Sequence, residues 1–290
     1  MPARNDEADP DPDIDQTVEY GGHINRDTCM ELADKIIVIT GGANGIGKAL
    51  ALRFDRAGAR HIVVADRDAT GAKAVADAVG GTSMETDVSD EAAIARLIET
   101  TETTIGPIDL FCSNAGIAAA DSLDSPNDEW QLIWDVNVMA HVYAARHLVP
   151  RMVARGGGYL MNTASAAGLL NQIGGVAYGV TKHAAVGLGE WIAMTYAHEG
   201  IRVSLLCPQA VRTAMTSGEA MNNKGVAAAA NDGMIEADVL AETVVEGLRE
   251  ERFLILPHPE VEEYMRRKTA DYDRWIRGMN RFHQSLYAAD

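Results

Sequence analysis

Apolar positions along this chain follow two alternating rhythms. Short continuous runs rich in Val and Ile read as strands buried on both faces: 35–40 (KIIVIT), His61–Asp66 (HIVVAD), 82–86, 108–113 (IDLFCS), Gly158–Thr163, 201–207 and 253–256. Between them apolar residues return every three or four positions. That spacing predicts helices through Leu50, Phe54 and Ala57 to Gly58, and over 69–79, 90–104, 130–152, 176–199 and 236–250. Ser89 or Asp90 caps the third of these. Strand and helix alternating in this way form an α/β fold: a doubly wound parallel sheet with helices on both faces, joined by right-handed crossovers.

Three segments leave the rhythm. Residues 1–29 are rich in Asp and Pro and too poor in apolar residues to fold alone. They are either a disordered or loosely docked arm, or a start upstream of the working one; the folded unit begins near Met30 and runs to 256. Within it, 214–235 is rich in Ala, Gly, Asn and Met and reads as a mobile lid. Met215, Met221 and Met234 either line an apolar pocket or pack a small surface helix. Residues 257–290 form a helical extension in which Val261, Tyr264, Met265, Tyr272, Trp275, Ile276, Met279, Phe282 and Leu286 recur at helical spacing. That stripe must be covered by a partner subunit, the body of the chain or the substrate cleft, with core packing the default. Arg266, Arg267 and Lys268 read as a solvated face.

Composition narrows the class. With 290 residues, 47% of them hydrophobic, the chain can cover both faces of one sheet. A net charge of −17 argues against nucleic acid and anionic membrane as partners. Cys29, Cys112 and Cys207 show no metal-like spacing, and the last two fall in apolar runs, as small core residues of a reducing compartment do. No apolar run is long enough to span a bilayer, and no signal pattern opens the chain. The expected location is the cytoplasm.

The candidate chemistry gathers at strand ends. The first strand runs into Gly41-Gly42-Ala43-Asn44-Gly45-Ile46-Gly47 and then a helix. Strand, glycine turn and helix together aim backbone N–H groups at a phosphate. A tight turn alone would also explain the glycines. Asp66 ends the second strand roughly 20 residues on, where a dinucleotide fold places the acid that binds the adenosine ribose; otherwise it caps the next helix. Asp87, Asn114, Ser165 and Pro208 also fall at carboxyl ends of strands, the ligand-binding edge of open α/β sheets. Tyr178 and Lys182 share one helix face at i and i+4, and Ser165 lies thirteen positions before Tyr178 (178 minus 165). An ammonium group near a phenol favours the phenolate. Bringing a phenol from about 10 to about 7 takes roughly 4 kcal/mol, from the lysine and a cationic nicotinamide together. The product is an acid/base suited to an alcohol proton. A Tyr-x-x-x-Lys pair taken alone is more often a surface pair of no consequence.

Taken together, these motifs resemble the short-chain dehydrogenase/reductase family over about 31–256. They are Thr40-Gly41-x-x-x-Gly45-Ile46-Gly47, Asp66, Asp87-Val88, Asn114-Ala115-Gly116, Asn137, Ser165, Tyr178-x-x-x-Lys182 and Pro208-x-x-Val211-x-Thr213. The resemblance implies a Rossmann-like single domain that binds NAD and interconverts a secondary alcohol and a ketone. It implies Tyr178 as acid/base, Ser165 on the substrate oxygen, and Lys182 on the nicotinamide ribose, lowering the phenol pKa. Asn137 anchors a relay water, Asp87 and Val88 meet the adenine, and Asn114, Ala115 and Gly116 run along the cofactor. Val211 and Thr213 fix the carboxamide. Asn44 and Arg67 complete the expected cofactor contacts, and Arg67 keeps open an NADPH-dependent carbonyl reductase. A non-catalytic binding protein is the rival from another class. Ser113 and Gln209 depart from the family pattern, the latter where Gly usually follows the Pro. The expected substrate is a hydrophobic alcohol or ketone, and the expected assembly a homo-oligomer, tetramer or dimer.

Overall fold

The computed structural model describes residues 29–217 and 224–288. Of the arm expected over 1–29, residues 1–28 lie outside them, as does Met221 of the lid. Seven parallel strands form the central sheet in the order β3-β2-β1-β4-β5-β6-β9. They are β1 (Ile36–Thr40), β2 (His61–Asp66), β3 (Thr82–Glu85), β4 (Leu110–Ser113), β5 (Gly158–Thr163), β6 (Ile201–Leu206) and β9 (Leu254–Ile255). All five residues of β1 are buried, because helices cover both sides of the sheet; that is why its sequence is a continuous apolar run. On one side α1 (Gly45–Arg56), α2 (Ala69–Ala78) and α9 (Ala237–Arg249) pack Leu50, Phe54, Val75, Leu240 and Val244 against it. On the other, α3 (Glu91–Thr104), α5 (Ala140–Ala154) and α7 (Val176–Tyr196) contribute Ile94, Leu97, Leu148, Met152 and Ile192.

The strand order reverses between β1 and β4, which opens a crevice at their carboxyl ends. Asp90 caps α3 by accepting from the Ala92 N–H. The long helix expected at 130–152 is three pieces: α4 (Asn127–Trp134), a π-turn over Asp135–Met139 and α5. The turn swallows an extra residue and so conceals itself inside an otherwise helical apolar pattern. The expected 176–199 helix ends as a 3₁₀ turn, Ala197–Glu199, closed by Gly200 in the left-handed region. After the short α6 (Ala167–Leu170), a two-stranded ladder of β7 (Val211–Arg212) and β8 (Ile235–Glu236) brackets the lid region, with α8 (Lys224–Ala229) between the two strands in sequence. The tail is two helices, α10 (Glu260–Ala270) and α11 (Tyr272–Tyr287), because Asp271 leaves the helical conformation and caps α11 by accepting from the Arg274 N–H. No helix among the described residues is long and apolar enough to cross a membrane.

Candidate active site

Every site residue expected from the sequence lines one cleft of about 290 Å³ except Gly47 and Asn137, which stand behind it. The cleft begins at the glycine turn. Gly41 holds φ of +65°, which a side chain would resist. A Cβ on Gly47 would stand 2.1 Å from the Gly41 carbonyl oxygen. Asn44 occupies the N-cap of α1, yet its side chain caps nothing. The first N–H groups of α1, at Gly45 and Ile46, are therefore left without a side-chain partner, as an anion site requires.

Asp66 Oδ2 accepts from the Ala43 N–H at 3.0 Å and Oδ1 from the Asp68 N–H at 3.0 Å. Asp68, not Asp66, caps α2. The Asp66 carboxylate is thus drawn over the glycine turn, with exposed Arg67 beside it. Asp87 accepts from both the hydroxyl and the N–H of Ser89, at 2.7 and 2.9 Å. These bonds, with a smaller effect of Arg67, hold its carboxyl below the ordinary range; Val88 lines the same wall.

Asn114 knots three strand ends. Its N–H donates to the Thr40 hydroxyl at 3.0 Å, its Nδ2 to the Thr40 carbonyl at 3.1 Å, and its Oδ1 accepts from the Thr163 hydroxyl at 3.1 Å. Ala115 and Gly116 follow along the floor. A Cβ on Gly116 would lie 3.3 Å from Lys182 Nζ. Asn137, fully buried in the π-turn, grips the chain at Ile117: its Oδ1 accepts that N–H and its Nδ2 donates to that carbonyl, both at 2.9 Å. Nδ2 also donates to the Thr181 hydroxyl at 3.2 Å.

The Ser165 hydroxyl donates to the Pro208 carbonyl at 3.3 Å and accepts from the Ala167 N–H at 3.1 Å. Tyr178 and Lys182 do share a face of α7. The ammonium donates to the Thr163 carbonyl at 3.0 Å and stands 5.6 Å from the centre of the Tyr178 ring. Burial brings Lys182 down to about 8. Burial raises the Tyr178 phenol, and its hydrogen bond with Ser165 pulls it back. Ser165 is thus a group of the chain that draws the phenol back toward its ordinary value, while the ammonium, close to the ring, is bonded to a backbone carbonyl.

Beyond Pro208 the cleft is closed by Val211 and Thr213, whose Cγ2 would meet a Cβ on Gly45 at 3.2 Å. Gln209 has no positive φ, so a side chain fits where the family has glycine. Its N–H donates to His258 Nδ1 at 3.2 Å and its Nε2 to Asp232 Oδ2 at 3.3 Å. Tyr264 donates to Asp232 at 3.0 Å. Strand end, lid and α10 meet at this junction, and no sequence motif announced it. A second, larger cleft of about 740 Å³ adjoins the first, lined by Leu170, Met215 and Val226 and by Tyr264, Trp275, Met279 and Phe282 of the tail. The tail stripe thus divides: Val261 is buried in core with Ala166 and Leu170, while the α11 part, which has no buried residue, lines the cleft. Met215 lines this cleft and Met234 does not.

Fold and cleft are those of a nucleotide-binding oxidoreductase. Residues 35–224 match the family model for short chain dehydrogenases, and the chain belongs to that family. It is 32% identical over 256 residues to a 1-deoxy-11-beta-hydroxypentalenate dehydrogenase of Streptomyces exfoliatus, covering 85% of this chain and 91% of that one. It is 36% identical over 191 residues to 3beta-hydroxysteroid dehydrogenase 2 of Eggerthella lenta, covering 63% and 73%. A short chain dehydrogenase/reductase from Burkholderia phymatum, solved in complex with NAD, superposes with a TM-score of 0.75 at 30% identity, over 84% of this chain and 95% of that one.

Proposed function

We propose that this oxidoreductase is an NAD-dependent dehydrogenase of bulky, largely apolar secondary alcohols, and the reductase of the corresponding ketones, with Tyr178 as acid/base. One observation carries the reading. Ser165 and Tyr178 line both clefts, so the two hydroxyls stand where a ligand of the glycine-turn cleft would meet a ligand of the apolar one. The names of the Streptomyces and Eggerthella relatives, a hydroxypentalenate and a hydroxysteroid dehydrogenase, support a substrate of that bulk.

A nicotinamide cofactor, when bound, accepts hydride from the alcohol carbon or returns it to the ketone. The chain does the rest. Ser165 holds the substrate oxygen, and Tyr178 removes or returns its proton. Lys182 adds positive charge beside the phenol and binds the nicotinamide ribose. Asn137 serves the proton path by fixing Ile117 and Thr181 next to Lys182, with a bound water completing the path to solvent. Gly41, Asn44, Gly45, Ile46 and Gly47 form the pyrophosphate cradle. The enzyme is read as a cytoplasmic homo-oligomer.

The NADPH reading keeps one observation in its favour: Arg67 lines the cleft and makes no ion pair among the described residues. Against it, Asp66 lies beside the glycine turn. A 2′-phosphate about 4 Å away would cost roughly 4 kcal/mol per pair of unit charges at an effective dielectric near 20, before screening. The expected kcat/KM is at least about tenfold higher with NAD than with NADP, a 1.4 kcal/mol preference, narrowing or reversing in Asp66→Ala. A panel of secondary alcohols followed at the absorbance of reduced nicotinamide decides it. Equal or better use of NADP by the wild type would assign the preference to Arg67.

A further inference from the structure

Among the described residues, two deeply buried side chains behind the cleft have polar atoms without a hydrogen-bond partner: both ring nitrogens of His141 and Nδ2 of Asn162. His141 is 1% exposed and Asn162 3%. Buried polar groups bond to protein or to ordered water in nearly all folded structures, and exceptions call for an explanation.

The fold brings these groups to one place. Asn162 follows Leu160 on β5 at the two-residue period, so both point into the layer covered by α3, α5 and α7. Ser113, also buried, pairs with Asn162 across β4 and β5 and faces that layer by the same count from Phe111. Helix α5 runs back over these strands, since a Cβ on Gly158 at the start of β5 would touch Met152. From Met152, the helix rises about 1.5 Å per residue and reaches His141 roughly 16 Å back (152 minus 141 residues). From Gly158, the strand rises about 3.3 Å per residue and reaches Asn162 after roughly 13 Å (162 minus 158 residues). His141 therefore stands over the end of β5, where the Thr163 carbonyl receives the Lys182 ammonium. The two groups sense each other: after burial, the charge of Lys182 is the second cause holding the imidazole neutral, at about 3.

We propose that His141 is a positioning residue for Lys182: with Asn162 it holds internal water against the ammonium and fixes its direction. The proposal rests on the reading of Lys182 as the charge beside Tyr178. A neutral imidazole has one donor and one acceptor, an ammonium has three donors, and one of those three goes to Thr163. A water that accepts from Lys182 and from Asn162 Nδ2 and donates to the unprotonated ring nitrogen, with a second water that accepts from the ring N–H, satisfies the orphaned atoms together; internal waters typically make about three such bonds. No proton moves to the ring, because two cations would then share one buried pocket. The other titratable groups around Lys182 are Tyr178 on its own helix and Cys207 after β6, whose thiol burial pushes up to about 12. His183 is turned outward onto the Gly179 carbonyl. On α5, Arg146 and His147 meet Glu91, and Arg151 meets Glu102, all away from this layer.

The test compares wild type with His141→Leu, which fills the space without bonding, and His141→Gln, which restores a donor and an acceptor. In each background Lys182 is titrated without turnover, as the pH at which the Tm gain of Lys182→Met begins to fall, which marks the pKa in the folded state. Loss of a hydrogen bond to the charged form should lower the Lys182 titration by about one pH unit in His141→Leu and leave it within about 0.3 unit in His141→Gln. The rising limb of kcat/KM for alcohol oxidation should move up in the leucine variant alone, with KM for the cofactor within about twofold of wild type. An unchanged Lys182 titration in His141→Leu overturns the proposal, as do equal shifts in both variants. If wild type oxidises no alcohol, the functional reading fails and the thermal titration still decides the role of His141. His141→Met replaces the leucine variant if that one does not fold.

Discussion

At Lys182 folding and chemistry pull in opposite directions. Its pKa in the fold is about 8 against an ordinary 10.5, a difference worth about 3 kcal/mol. The folded value is the lower one, so between pH 8 and 10.5 the unfolded chain binds more protons and stability rises with pH. Below pH 8 the penalty is present in full. Lys182→Met should therefore lose activity yet melt at a higher temperature than wild type at pH 7. The expected gain is roughly 1–2 kcal/mol, after about 1 kcal/mol for the bond lost to Thr163, and it should fade toward pH 10.5. Calorimetry across that range checks it; a variant no more stable at pH 7 would show the ammonium to be compensated. Tyr178→Phe keeps ring packing and removes only the proposed proton carrier, so kcat should fall about 100-fold or more while cofactor titration by fluorescence stays near wild type. Activity within a few-fold of wild type would reject the assignment. That Asn137, Ser165, Tyr178 and Lys182 gather at one place in the fold was legible because motif spacing is written in sequence. His141 was not: it lies four positions after Asn137 on a helix, where a lone polar residue in an apolar face gives no sign of whether its nitrogens will find partners.

Among the elements, strands and helices were legible to within a residue or two wherever burial imposes a clean period. The misses have physical causes. A π-turn keeps the apolar stripe nearly in phase, so 130–152 read as one helix. The apolar spacing continues across Asp271, so nothing in it marked the break between α10 and α11. The β7–β8 ladder is two residues per strand, too short for any period to show. The tail stripe was visible, but its cover was not, because sequence does not distinguish a core from a cleft wall. Trp275 lies in that wall. Trp275→Ala should raise KM for bulky alcohols about tenfold, or roughly 1.4 kcal/mol, less than full burial of a large apolar side chain gives because Trp275 is only half-buried, and leave small alcohols nearly unchanged. A uniform loss across a size series would mean that α11 supports the fold rather than the substrate.

For the whole molecule, the exposed side of α7 carries Val180, Trp191 and Met194, 45%, 53% and 76% exposed, on one helical face with Gly187, where a Cβ would meet nothing. A self-complementary apolar strip of this kind suits a second copy of the chain. Trp191→Glu should shift light scattering at about micromolar concentration toward monomer, and an unchanged mass would remove α7 from the interface. The tail has a separate consequence. Helix α11 lines the larger cleft, the proposed seat of the substrate, while burying none of its sixteen residues. Changes there meet little resistance from the core, which most mutations destabilise. A duplicated gene would thus have the stretch that encodes α11 open to drift while the glycine-turn cleft stays under purifying selection. New substrates would be acquired by rewriting that stretch, one tolerated codon at a time.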